Sequence, residues 1–236
     1  MQFTVAAPPP SHNSAGITCL HELMRCLKEL GHEVHQLDYT AMGKHKLRGI
    51  LIAPEVFPDI KIPHVRWVLN VPGLLGGPTK YPPGTVCFHY CKELAASARE
   101  ASPVGESYEF ILGHIALPEY IPEDRPLTCY YGGKFTQFGG EMQDHPYAIE
   151  IRRDYPATKK KFWELMQMCH TLYSYDTFSA MNCEAHLIGV KVNVWNPEKS
   201  IFEDYVPAEY VPNIIWNDES NKNRVAHFVD TLVSKM

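Results

Sequence analysis

The sequence lacks any long apolar run, although 45% of its 236 residues are hydrophobic. A helix that crosses a membrane needs about 20 mainly apolar residues in succession, and no stretch of the chain approaches that length. The N-terminal stretch MQFTVAAPPP also lacks the basic start and the extended apolar segment of a secretory signal. We therefore expect neither a transmembrane helix nor a secretory signal.

The chain has no excess of basic residues, since 22 Lys and Arg face 27 Asp and Glu, for a net charge of -5. This balance argues against a surface that coats nucleic acid, so no nucleic-acid partner is predicted. The seven cysteines are scattered and odd in number, without the spacing of a disulfide framework. A reducing compartment, the cytoplasm, is the simpler interpretation.

The sequence also has no convincing metal motif. Cys87, His89 and Cys91 would share one face of an extended strand, but no second ligand pair follows at zinc spacing. Structural zinc needs four ligands, so no metal site is predicted. The dinucleotide-binding motif G-x-G-x-x-G is absent as well.

The most informative stretch is Leu172–Val194, which reads LYSYDTFSAMNCEAHLIGVKVNV. Its apolar, β-prone start leads into a polar turn at Ser174–Thr177 and then a helix-like run, Phe178–Leu187. Gly189 follows, and Val190–Val194 has the composition of a strand. Strand, turn, helix, Gly and strand in this order indicate two parallel strands joined by a helix.

The rest of the chain alternates in the same way. Apolar spacing at three and four residues predicts helices at Ile17–Leu30, Thr158–Cys169 and Arg224–Val233. The predicted strands are Gln2–Ala7, His32–Leu37, Gly49–Ala53, Val65–Val71, Thr85–Tyr90, Phe110–Leu112, Leu127–Tyr131 and Ala148–Ile151.

This pattern predicts an α/β fold of two Rossmann-like domains with a cleft between them. A segment rich in proline and acidic residues, PEYIPEDRP, suits an exposed connection between domains. We therefore expect domains at 1–122 and 123–215, with a C-terminal helix at 216–236 that packs back on the first domain. A ligand would lie where the strand ends of the two domains meet.

Two acids, Asp176 and Glu184, lie within the informative stretch with seven residues between them. Asp176 follows a predicted strand, at the edge where α/β proteins bind ligands. Glu184 lies about two turns into the next helix. Backbone N–H groups at a helix start bind phosphate, and carboxylates accept hydrogen bonds from hydroxyl groups. These residue types predict a site for a phosphorylated, polyhydroxylated ligand.

Four segments together resemble a known family, the nucleotide-sugar-dependent glycosyltransferases of the GT-B fold. The segments are HNSAGITCLHELMRCLKELGHEV, YYGGK, EIRRDYP and LYSYDTFSAMNCEAHLIGVKVNV. The resemblance implies that Glu184 binds the ribose hydroxyls of the donor. It places Asp176, Thr177 and Phe178 near the sugar and the diphosphate. Family members often have Glu at the first acidic position, where this chain has Asp176.

By the same resemblance, Lys134 and Arg153 neutralise the donor diphosphate, and Gly16 belongs to a glycine loop of the first domain that faces the donor. Such cations offset the charge of the leaving group without a metal. The sequence contains no Asp-x-Asp, the motif that holds a divalent ion in the other main sugar-transferase architecture. We therefore expect no metal and no cofactor beyond the donor itself.

The identity of the catalytic base stays open at this point. His12 follows the first strand beside Gly16 and is one candidate. Glu55 follows another strand and is a second, and Asp176 is the acid nearest the predicted sugar. The lysine run Lys159–Lys161 is interpreted as the solvated start of a helix, with weak binding to anionic membrane lipid as a lesser alternative.

The function predicted from the resemblance is transfer of a sugar from a nucleotide diphosphate sugar to a hydroxyl of a glycan or glycoconjugate acceptor. Two alternatives remain: a non-catalytic nucleotide-sugar-binding protein of the same fold, and a nucleotide-sugar epimerase. The nucleotide, the sugar, the acceptor, the stereochemical outcome and the oligomeric state are not determined by the sequence.

Overall fold

The structure is a computed structural model, and it describes residues 1–11, 14–40, 47–58 and 64–235. It is an α/β structure that divides into two compact units. The first unit comprises Met1–His114 and Trp216–Met236, and the second comprises Ile115–Ile215. The division therefore falls after His114, whereas the sequence placed it after residue 122.

The helices and strands follow one another in regular alternation. In chain order, the first unit contains β1 (Gln2–Ala6), α1 (Ala15–Glu29), β2 (Glu33–Leu37), β3 (Ile50–Pro54), β4 (His64–Val68), β5 (Cys87–His89), α2 (Lys92–Ala101) and β6 (Ser107–Glu109). The second unit contains β7 (Leu127–Tyr131), α3 (Gly133–Gln137), β8 (Ile149–Ile151), α4 (Lys159–Gln167), β9 (Cys169–Ser174), α5 (Ala180–Leu187), β10 (Lys191–Asn196), β11 (Ile201–Asp204) and a 3₁₀ turn, Val211–Ile214. The last helix, α6 (Asp218–Val233), belongs to the first unit.

The sheet of the first unit is wholly parallel in the order β2-β1-β3-β4-β5-β6. The chain passes from β1 to β2 on one side and then continues from β3 to β6 on the other. The strand order thus reverses between β1 and β3. In open parallel sheets, ligands bind outside the carboxyl ends of the strands at such a switch point.

Helix α1 shows which residues produced the helical pattern in the sequence. Ser14 caps it by accepting a hydrogen bond from the Ile17 N–H, and Leu20, Leu23 and Leu27 form its buried face. The helix ends before Gly31, whose φ of +83° suits glycine. The predicted helix is therefore confirmed within two residues at its start and one at its end.

Helix α6 is held in the core of the first unit by aromatic contacts. The buried Phe228 ring lies 4.5 Å from the ring of Phe88 and 4.5 Å from that of Phe110, centroid to centroid. Such aromatic pairs add to the energy of area burial. The C-terminal helix is thus an integral part of this unit.

The sheet of the second unit has the order β11-β10-β9-β7-β8, with only β11 antiparallel. Helices α4 and α5 pack on one face, where Met166 and Ala185 join Cys129 in the core. The opposite face is covered by the β7–β8 connection, because His145 stacks on the Tyr130 ring at 4.8 Å. Neighbouring residues of a strand point to opposite faces, so Cys129 and Tyr130 mark the two sides.

Several predicted boundaries were wrong. The strand predicted to reach Val71 ends at Val68, and the one predicted at Phe110–Leu112 lies earlier, at Ser107–Glu109. Cys169, assigned to a helix face, begins β9 instead. Phe110 and Leu112 are apolar residues buried outside a strand, and they gave the same signal as a strand.

In the described part of the chain, no helix combines the length and the apolar character needed to cross a membrane.

Candidate functional site

The second unit has its own switch point, between β7 and β9. The chain leaves β7 towards β8 on one side, and it continues from β9 to β10 on the other. The segments after these two neighbouring strands therefore diverge at the carboxyl edge of the sheet, where open α/β sheets bind their ligands. Gly133 and Lys134 follow β7, and Asp176 and Thr177 follow β9.

An ion pair joins the segments that follow β7 and β9. Lys134 Nζ lies 2.8 Å from Asp176 Oδ2, and the same oxygen accepts a hydrogen bond of 3.1 Å from the Lys134 backbone N–H. Lys134 Nζ also donates to the carbonyl of Phe178 at 2.7 Å. Asp176 is only 4% exposed. The charge of this nearly buried carboxylate is therefore balanced by a cation and by a backbone N–H.

Gly133 allows this close approach. Its φ is +53°, and a Cβ at this position would lie 2.7 Å from both Cβ and Oδ2 of Asp176. Any side chain here would push the carboxylate away from Lys134. Gly133 is also the first residue of helix α3.

Glu184 forms a second ion pair, which the sequence did not indicate. Its Oε1 lies 2.6 Å from Nζ of Lys159, at the first residue of α4. Burial raises the pKa of Glu184, and the charge and hydrogen bond of Lys159 oppose that rise. The lysine run does lie at a helix start and Lys160 is solvated, but Lys159, with a 37% exposed side chain, also pairs with a buried acid. Side chains 25 positions apart cannot be paired from local pattern.

Tyr131, which the sequence analysis did not identify as a site residue, lies within electrostatic reach of both acids. Its pKa is raised by burial, then by the negative charge of Asp176 and, more weakly, by that of Glu184, while the side chain of Ser179 acts to lower it. Arg153 acts in the opposite direction on the same pKa. Two acids, Arg153 and Ser179 thus all affect the pKa of the Tyr131 phenol at the end of β7. The only sequence signal was an aromatic residue directly before Gly-Gly-Lys.

The remaining predicted donor residues are more exposed than Asp176. Arg153 is exposed and donates from Nη2 to Gln137 Oε1 at 3.3 Å, while Thr177 is exposed and Phe178 half-buried. Arg152 turns to Glu150 and Asp154 instead. The structure brings Lys134, Asp176 and Phe178 into direct contact, and Arg153 stays within electrostatic reach of Tyr131.

In the first unit, Glu55 directly follows β3 at the switch point. It is 5% exposed, and its Oε2 accepts a hydrogen bond of 3.0 Å from the Leu69 N–H. Burial raises its pKa to about 7, against the opposing effect of backbone N–H groups and of Arg66. A carboxyl group with this pKa can exchange a proton near neutral pH.

Gly16 enters α1 on the other side of the same switch point. A Cβ at Gly16 would lie 3.6 Å from Leu69 Cδ1, so Gly16 and Glu55 approach the same residue. His12, the other predicted base, lies outside the described residues. The structure therefore brings Gly16 and Glu55 together through Leu69.

Arg66 organises the chain around Glu55. It is fully buried on β4 and donates to the carbonyls of Pro54 at 2.9 Å, Phe57 at 2.6 Å and Pro58 at 3.2 Å. These hydrogen bonds fix the backbone on both sides of Glu55. Its guanidinium also lies 4.8 Å from the centroid of the Tyr81 ring.

Cys87 and His89 are buried strand residues of β5, as the sequence predicted, whereas Cys91 lies outside the strand and is the N-cap residue of α2. His89 Nδ1 lies 2.8 Å from Ser107 Oγ. Within the described residues, no group of three or more His, Cys, Asp or Glu is placed to hold a metal ion.

The chain matches no protein family model, and a search of curated proteins found no relative. The function is therefore proposed from the residues at the carboxyl ends of the strands in the two sheets.

Proposed function

We propose that this protein is a glycosyltransferase that moves a sugar from a nucleotide diphosphate sugar to a hydroxyl group of a glycan or glycoconjugate. The observation that carries the proposal is the Lys134–Asp176 pair at the switch point of the second unit, beside Tyr131. Cations and nearly buried carboxylates at one sheet edge are complementary to a ligand with both phosphates and hydroxyls.

In this proposal, Lys134 and Arg153 bind the diphosphate. Lys134 Nζ now contacts Asp176 and the Phe178 carbonyl, and a diphosphate oxygen would be a further charged acceptor for it. As the bond to the sugar breaks, negative charge develops on the leaving diphosphate. A cation held in place stabilises that charge more than it stabilises the ground state, which accelerates the reaction without a metal.

The hydroxyl groups of the donor would be bound by the acids. Glu184 is the residue proposed to accept hydrogen bonds from the ribose, since it is buried and held in place on α5. Asp176, Thr177 and Phe178 are proposed to face the transferred sugar. Asp176 is kept near the end of β9 by the Lys134 N–H, so its second oxygen can meet a hydroxyl.

The acceptor is proposed to bind to the first unit, with Glu55 as the base that takes its proton. A base works best when its pKa lies near the working pH, and the pKa of Glu55 is about 7. Gly16 would allow a ligand to approach the backbone at the start of α1. We also propose that the fold is of the GT-B class and that the protein is located in the cytoplasm.

The donor site is tested by thermal shift with UDP, GDP, ADP, CMP and dTDP sugars. We expect one nucleotide class to raise the melting temperature of the wild type and Glu184→Ala to lose most of that rise. Glu198→Ala is the matched control, because Glu198 is exposed in the same unit. A wild type that no nucleotide stabilises refutes the donor site, and equal binding by Glu184→Ala refutes the ribose assignment.

Catalysis is then tested by release of the nucleoside diphosphate from the donor so identified. Release that depends on an added glycan supports transfer. Binding without release in any mixture favours the non-catalytic binding protein. Interconversion of the free nucleotide sugar without an acceptor favours the epimerase.

A further inference from the structure

The lysine run Lys159–Lys161 contains one lysine whose surroundings differ from those of its neighbour. Lys159 Nζ lies 2.6 Å from Oε1 of Glu184, whose side chain is 9% exposed. Lys160 has an 87% exposed side chain, and its Nζ lies 3.9 Å from Glu164 on the same helix. Two adjacent residues of equal charge therefore have unequal environments.

Lys159 is held in place by more than its charge. Its Nζ lies 4.5 Å from the centroid of the Phe162 ring and 5.0 Å from that of Trp163. The helix that it begins is capped by Thr158, which accepts a hydrogen bond from the Lys161 N–H. Aromatic faces and a fixed helix start limit the freedom of a long side chain.

A buried carboxylate that must accept hydrogen bonds from a ligand needs a nearby cation. Without one, burial favours the protonated form, which is a weaker acceptor. A carboxylate offers about four acceptor positions, and Lys159 uses one of them on Oε1. The remaining positions can serve hydroxyl groups while Lys159 stays in contact.

We propose that Lys159 is a positioning residue of the nucleotide site, which keeps Glu184 ionised and oriented so that its other oxygen accepts the ribose hydroxyls. The inference rests on the proposed function. It assigns Lys159 no contact with the ligand itself. Loss of Lys159 should therefore act on nucleotide affinity through the charge of Glu184.

Among the described residues, few charged or titratable groups act on Glu184, so the pH dependence of binding can be assigned to it. Lys159 faces it from α4, Tyr131 from β7, and Cys183 precedes it on α5. Burial raises the pKa of both Tyr131 and Cys183 above their ordinary values. Neither group therefore titrates in the range where Glu184 changes charge.

The test is calorimetric titration of UDP, GDP, ADP and dTDP into wild type, Lys159→Met, Lys159→Gln and Lys160→Met over a range of pH. We expect Lys159→Met and Lys159→Gln to weaken the nucleotide that binds the wild type by roughly tenfold near neutral pH. The lost affinity should return in part as the pH rises and Glu184 ionises. Lys160→Met should stay within roughly twofold of the wild type, and Lys159→Arg should keep most of the affinity.

Lys159→Gln keeps a hydrogen-bond donor. If Lys159→Met does not fold, the affinity of Lys159→Gln is used for the test. The inference is overturned if both variants bind as Lys160→Met does. It is also overturned if they are weaker by the same factor at every pH, because that pattern indicates direct contact or simple misfolding. A wild type that binds no nucleotide overturns the proposed function as well, so the two failures are distinguishable.

Discussion

The raised pKa of Glu55 has a measurable consequence for stability that does not depend on any assigned function. Burial raises this pKa from 4.5 to about 7. Each pKa unit corresponds to about 1.4 kcal/mol, so the ionised carboxylate destabilises the folded state by about 3 kcal/mol relative to the unfolded chain. The penalty is absent below the unfolded pKa and complete above about pH 7.

Glu55→Gln removes this titration while it keeps a similar shape and an acceptor for the Leu69 N–H. We expect the variant to gain stability relative to the wild type as the pH rises. Between about pH 5 and pH 9, the difference in unfolding free energy should grow by about 2.5 kcal/mol. Urea unfolding at several pH values measures the difference. Glu198→Gln, at an exposed site, is the control and should show no such trend.

A direct measurement complements the unfolding series. The side-chain carboxyl signal that disappears from the ¹³C spectrum in Glu55→Gln belongs to Glu55, and its titration midpoint should lie near 7. Arg66 stays charged throughout this range, and burial raises the pKa of the neighbouring Tyr39. A midpoint near 4.5, or a stability difference that does not change with pH, refutes the reasoning. If Glu55 is the base, transfer should also decline below about pH 7.

Two further substitutions test the packing and the candidate site. Asn221→Ala removes the amide that accepts from the Gly113 N–H at 2.9 Å and donates to the Gly113 carbonyl at 2.8 Å. Because both groups are buried, we expect urea unfolding to show a loss of about 2–4 kcal/mol. Gly133→Ala should separate Asp176 from Lys134 and abolish most nucleotide-induced thermal stabilisation, whereas Gly139→Ala should cost only about 1 kcal/mol and leave that response intact. Gly139 also has a positive φ but open space around it, so equal effects of the two substitutions would contradict the steric argument.

Much of the architecture follows from local signals. Helix α1 was predicted from leucines at helical spacing, and β7 from a β-prone run, LTCYY, bounded by Pro126 and Gly132. Asp176 could be named as a site candidate because it follows a predicted strand, and strand ends are local features. Lys134 was a candidate through the resemblance of its segment to a known family.

Other features depended on contacts between distant parts of the chain. The Lys159–Glu184 pair joins the start of α4 to the middle of α5. No local pattern distinguishes Lys159 from Lys160. Tyr131 became a site residue only when two acids and Ser179 were found around it. The strand β11 pairs antiparallel at the sheet edge and was also missed.

The sequence by itself determined the alternation of strands and helices, and with it the α/β class and the residues that follow each strand. These properties depend on side-chain periodicity and on capping and turn residues, which act over a few positions. Only the tertiary structure decided which charges are buried and which are paired. Burial and ion pairing depend on strand order and helix packing, and these set the pKa of Glu55 and the partner of Glu184.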